Sequence, residues 1–87
     1  MMTRQEMHDE FWILTKSVLQ DSRIDTNEAR VIKRWLEEHR QYEQDGAFDA
    51  VIKSLARILE DNYVDRFEST ETITAIGRVL KLLNTPQ

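Results

Sequence analysis

Six carboxylates stand out as the side chains best able to do chemistry. Asp21, Asp25 and Glu28 form one set, and Asp61, Asp65 and Glu68 repeat it forty residues later (65 − 25 = 40). Carboxylates at such spacing have two uses. They can supply oxygen ligands to a hard divalent cation. They can also cap helices: in a capping box the side chain at the N-cap accepts from the third helical amide, and an acidic side chain there reaches back to the cap amide. Asp25 with Glu28, and Asp65 with Glu68, have that three-residue separation, so both readings stay open. His8 and His39 fall on different predicted helices and have no partner at metal-ligand spacing. Ser17, Ser22, Ser54 and Ser69 lack any His/Asp arrangement for nucleophilic catalysis, and no glycine-rich phosphate loop occurs. The residues therefore predict a protein that is not an enzyme.

The context of the six carboxylates is a duplicated string. Val18 to Glu28 returns as Ile58 to Glu68, and seven of the eleven pairs are identical or similar. Aligned with an EF-hand calcium loop, Asp21 falls at the fifth position, Ile24 at the eighth, Asp25 at the ninth and Glu28 at the twelfth. The first half of that loop departs. Where oxygen ligands and a glycine are needed, the chain has Ser17, Leu19 and Ser22 in one copy and Arg57, Leu59 and Asn62 in the other. Ile24 and Val64 are expected to pack together between the two loops.

Helices must position these loops. Thr3 and Glu6 have capping-box spacing, and Met7, Phe11, Leu14, Val18 and Leu19 then recur at helical intervals, with Trp12 and Ile13 widening the stripe. The first helix is predicted from about Arg4 to Gln20. Ala29, Ile32, Trp35 and Leu36 define a second, from about Thr26 to Arg40. Gln41 to Gly46 reads as a connector, with Asp45 expected to cap a third helix spanning Ala47 to Asp61. A fourth begins at Arg66 or restarts near Thr70, the repeat favouring Arg66, with Phe67 and Ile73 opening its apolar face; Gly77 within it is expected to mark close helix packing. The prediction is an all-α, four-helix domain covering residues 1–87, built from two pseudo-repeated helix-loop-helix halves at about 4–40 and 46–83, with the acidic loops at one end.

Composition agrees. The chain has 87 residues, 40% apolar and 32% charged, with two glycines and one proline, which disfavours both disorder and a turn-rich β fold. It has no cysteine, excluding disulfides and thiolate chemistry and fitting a reducing, cytoplasmic setting. The longest apolar run, Phe11-Trp12-Ile13-Leu14, is far shorter than the roughly 20 residues of a membrane span. A net charge of −4 argues against nucleic acid and anionic membranes. Arg30, Lys33, Arg34 and Arg40 cluster on the second helix as the one basic patch, interrupted by Glu37 and Glu38.

The string of a hydrophobic pair, Asp-x-x-Ile/Val-Asp-x-x-Glu and then an apolar helix carrying Trp35-Leu36-Glu37-Glu38-His39 resembles the repeats of TerB-like helical domains. It is also similar to tandem helix-loop-helix segments beside BRCT or nuclease domains in some bacterial proteins. The resemblance spans about Val18 to Leu80; those relatives usually read Ala-Asp-Gly where this chain has Gln20-Asp21-Ser22 and Glu60-Asp61-Asn62. It implies an all-helical fold in a bacterial or phage protein. In some members it implies an acidic metal-binding surface, which would place a divalent cation at Asp21, Asp25, Glu28, Asp61, Asp65 and Glu68.

Apolar surplus points elsewhere. Trp12, with Met7 and Phe11 beside it, gives the first helix more apolar width than one face of a small bundle covers. The functional expectation is thus a small interaction module that self-associates or binds a protein partner through Met7, Phe11 and Trp12. Cation binding at the acidic loops is the alternative.

Overall fold

A computed structural model describes residues 3–43, 45–61 and 66–84. It contains four α-helices, α1 (Arg4–Asp21), α2 (Thr26–Glu38), α3 (Ala47–Asp61) and α4 (Arg66–Leu83), with a 3-10 turn at Arg40–Tyr42. Among the described residues there is no strand. The protein is all-α, as its periodicity predicts.

Local chemistry sets the ends of these helices. Thr3 Oγ1 accepts from the Glu6 amide at 3.1 Å and Glu6 Oε1 accepts from the Thr3 amide at 3.0 Å, closing a reciprocal cap on α1. α1 stops at Ser22, which takes a left-handed conformation (φ 55°, ψ 32°), a geometry glycine adopts more readily. α2 ends two residues before the predicted Arg40, because His39 leaves helical geometry and the chain tightens into the 3-10 turn. The start of α3 corrects the expectation for Asp45. That residue sits in the turn at φ 54°, and it is Glu43 whose Oε1 accepts from the Asp49 amide at 2.7 Å.

The four helices pack in a ring, each against its two neighbours in the order α1, α2, α3, α4 and back to α1. One continuous core fills the centre. Phe11, Val18, Ile32, Leu36, Leu55, Ile58, Ile76 and Val79 are fully enclosed. Trp35 is its aromatic hub, 5.1 Å from the Phe11 ring and 6.2 Å from that of Phe48, with His39 stacked on it at 4.1 Å. Its indole nitrogen finds a partner in Glu10 Oε1 at 3.0 Å, and His39 Nδ1 donates to the Trp35 carbonyl at 2.7 Å. Buried hydroxyls are matched too. Thr15 donates to the Phe11 carbonyl at 2.8 Å, and Ser54 shares a 2.6 Å hydrogen bond with Thr72 between α3 and α4.

Seven pairs of described residues separated by forty positions are buried on both sides. Met7 and Ala47, Phe11 and Val51, Thr15 and Leu55, Val18 and Ile58, Ala29 and Ser69, Ile32 and Thr72, and Leu36 and Ile76 are all buried pairs. Gly77 does not mark a close helix contact. A Cβ built there meets nothing within 4 Å, so the glycine leaves α4 open where another side chain would fit.

Candidate functional site

The first acidic set lies where α1 turns into α2. Asp25 Oδ1 accepts from the Glu28 amide at 2.7 Å, while Glu28 Oε1 accepts from the Asp25 amide at 3.1 Å. The other Glu28 oxygen accepts from Ser17 Oγ at 3.0 Å, tying α1 to α2. Both Glu28 oxygens are therefore engaged in holding the helix pair together. Asp21 and Asp61 are exposed, and Glu68 is half-buried in the first turn of α4. Asp65 and Val64 lie outside the described residues, and with them the expected pairing of Ile24 with Val64; Ile24 itself is buried.

A groove of about 820 Å³ opens at this end of the bundle, between the first loop and the first turns of α4. Asp21, Asp25 and Glu28 line it, but so do Arg23 and Arg66, whereas Asp61 and Glu68 do not. Among the described residues, the structure thus brings one acidic set together with two guanidinium groups. Among the described residues no three His, Cys, Asp or Glu side chains converge on a point that could hold an ion. A cation here would meet positive charge and a carboxylate already committed to a cap.

The expected basic patch divides between α2, which carries Arg30, Lys33 and Arg34, and the 3-10 turn, which carries Arg40, and three of its four cations face carboxylates. Lys33 pairs with Glu37 at 3.2 Å, Arg34 approaches Glu38 at 4.0 Å, and Arg40 reaches Asp49 at 2.8 Å. A phosphate backbone would compete with these carboxylates for three of the four cations.

The apolar surface of α1 requires a correction. Met7 and Phe11 were expected on a partner-binding face, but they are buried at 3% and 0% exposure. Their spacing of four places them on the stripe with Thr15 and Val18 that points into the bundle. Trp12 and Ile13, one and two steps round the helix, are left outside at 41% and 64%. Ile13, expected with Trp12 to widen the apolar stripe, is thus on the outside, and so is Val31 on α2, which is 50% exposed and which no sequence signal singles out. The bridges Glu10–Trp35 and Ser17–Glu28 fix the antiparallel register of α1 and α2, since 10 + 35 = 17 + 28, and so set Val31 level with Leu14 along the helix pair. Phe67 departs in the same way: predicted to open the apolar face of α4, it is 77% exposed at the helix start.

What fold and site define together is an all-α four-helix protein with an exposed apolar strip on its first helix and a mixed-charge groove at one end. No described helix is long and apolar enough to cross a membrane. Comparison with protein-family models, with curated proteins and with solved structures finds no match.

Proposed function

We propose that this chain is a small, non-enzymatic protein-interaction module of the cytoplasm that docks through the outward face of α1. The observation that carries the reading is the side-by-side exposure of Trp12 and Ile13 on a helix whose Met7 and Phe11 are enclosed. Large apolar groups left in water next to each other gain most from being covered, and tryptophan is enriched among residues that dominate binding energy. Pairing of Lys33, Arg34 and Arg40 with Glu37, Glu38 and Asp49 supports a protein over a nucleic acid as the occupant.

The test is site-specific crosslinking in cells. A photo-crosslinking amino acid replaces Ile13 on α1, with Lys53, exposed on α3, as the control position. A discrete protein adduct at position 13 that is missing at position 53 is the expected result. Equal adducts at both positions, or none, would end the interaction reading.

The second reading, a divalent cation at the acidic loops as in TerB-like domains, is favoured by one observation, the shared groove of Asp21, Asp25 and Glu28. A bound ion stabilises the folded state by mass action. Chelator-treated protein would then melt at higher temperature with millimolar calcium, magnesium, manganese or zinc; an unchanged midpoint in all four dismisses that reading.

A further inference from the structure

The outward face of α1 is not only apolar; its charges are arranged to complement themselves. At 3.6 residues per turn, and measured from the buried Phe11, Trp12 lies at about 100°, Lys16 at about 140°, Asp9 at about 160° and Ile13 at about 200°. The four side chains form one strip along the solvent side of the helix, and all are exposed. Asp9 and Lys16 stand at equal distances from the midpoint between Trp12 and Ile13, because 9 + 16 = 12 + 13. Gln5 and Gln20 extend the same symmetry, since 5 + 20 is also 25. Lys16 has no partner among the described residues. Asp9 Oδ1 accepts from Gln5 Nε2 at 2.9 Å and lies 3.4 Å from His8 Nδ1, both on its own helix, and no contact occupies its second oxygen among the described residues.

We propose that the occupant of this face is a second copy of the same chain, bound so that the two α1 helices lie antiparallel about a two-fold axis between Trp12 and Ile13, with Asp9 of each copy against Lys16 of the other. This rests on the reading above that the outward face of α1 is an interaction surface, and it names the partner. A two-fold interface must be self-complementary, residue i meeting j while j meets i, and the strip satisfies that condition for its charged pair, Asp9 with Lys16, and its apolar pair, Trp12 with Ile13. A parallel pairing would set Asp9 against Asp9 and Lys16 against Lys16, so the charges select the antiparallel sense. α1 has 18 residues and is therefore about 27 Å long. A single helix face of that length belongs with small interfaces, below about 1,200 Å² in total, so the dimer dissociates on dilution.

Analytical ultracentrifugation of the full chain from micromolar to millimolar concentration tests this, with circular dichroism confirming that each variant folds. Wild type is expected to pass from monomer to dimer across the series. D9K and K16D each put like charges at both contacts and are expected to weaken the dimer by at least about tenfold. Mixing D9K with K16D restores opposite charges at both contacts, and the mixed dimer is expected to form at close to wild-type concentrations. Three results would overturn the proposal: a wild-type chain monomeric at millimolar concentration, a dimer indifferent to both single reversals, or a mixture that fails to recover. A monomeric chain that still forms the position-13 adduct with another protein would sink the self-pairing alone. A chain that gives no such adduct sinks the broader reading as well.

Discussion

Leu14 and Ile32 in the first half of the chain have Ser54 and Thr72 as their counterparts forty residues on. In the second half those two side chains meet as a buried hydroxyl pair at 2.6 Å. Apolar surface in one half thus stands in register with a hydrogen bond in the other, and α3 and α4 still pack closely. Trp12 and Ile52 form a second contrasting pair, because Ile52 is 8% exposed and Trp12 is 41% exposed. The halves therefore share the inward register of their helices and differ in what they leave outside. Helical spacing and volume decide the core, whereas the surface of α1 is free to carry an additional role.

Truncating both members of the Trp12/Ile52 pair should separate the halves most clearly. Ile52→Ala removes a buried branched side chain and is expected to cost about 2–5 kcal/mol, by lost transfer free energy and by the cavity left behind. Trp12→Ala deletes a larger side chain but one already half in water, and is expected to cost about 1 kcal/mol or less. Urea unfolding of the two variants at low protein concentration checks the ordering. A Trp12→Ala penalty as large as that of Ile52→Ala would mean that Trp12 belongs to the core.

The hydroxyl pair gives the next largest effect. Thr72→Val keeps the shape and removes one partner, leaving the Ser54 hydroxyl buried without its bond, at an expected cost of about 1–3 kcal/mol. Replacing both, with Ser54→Ala and Thr72→Val, makes the second half resemble the apolar first half. The double variant should recover most of the loss, which a double-mutant cycle reads directly. Simple addition of the two single penalties would show that the hydroxyls act independently.

Glycine placement offers a smaller test at two sites. Ser22 is left-handed at the end of α1 without being glycine, and Gly77 lies inside α4 where the first half has Glu37. Ser22→Gly relieves a conformation that costs an L-residue roughly 1–2 kcal/mol, part of which returns as greater freedom of the unfolded chain. Gly77→Ala removes a helix-interior glycine with open space around it, a gain of up to about 1 kcal/mol. Both variants should raise the melting midpoint. A fall on Gly77→Ala would mean that a helix or partner approaches α4 there.

Much of this fold is written in short-range chemistry. The capping boxes at Thr3/Glu6 and Asp25/Glu28 locate two helix starts, and periodicity carries α3 and α4 to their observed ends. The faces of α1 were harder to read because Phe11-Trp12-Ile13-Leu14 is apolar around a full turn, so composition there cannot say which side is inward. The answer comes from the ring of helices: Phe11 of α1 meets Trp35 of α2, and the next two residues are then carried out into solvent. Asp45 departs from its expected capping role for a similar reason. Cap propensity is local, but the chain reverses before α3 and brings the side chain of Glu43 to the helix start. At the acidic loop, residue types alone leave ligand and cap open for Glu28; it is the packing of α1 against α2 that brings Ser17 to its second oxygen.

The starts of α1 and α3 sharpen the comparison through pH. α1 is closed by the Thr3/Glu6 box, whereas α3 has Glu43 at the position equivalent to Thr3 and Gly46 at that of Glu6. Hydrogen bonds from the Thr3 backbone amide, then from its side chain, hold the Glu6 carboxyl below its ordinary value of 4.5, because they favour the charged form. The sign follows. With the folded pKa below the unfolded one, the unfolded state binds the proton more readily, so the contribution of Glu6 is present above the ordinary value and is lost as pH falls through the folded one. Glu6→Gln should therefore lower the melting midpoint relative to wild type at pH 7, and the gap should narrow steadily on acidification below about pH 4.5. A gap independent of pH would assign the stabilisation to the hydrogen-bond geometry that Gln shares, not to the charge.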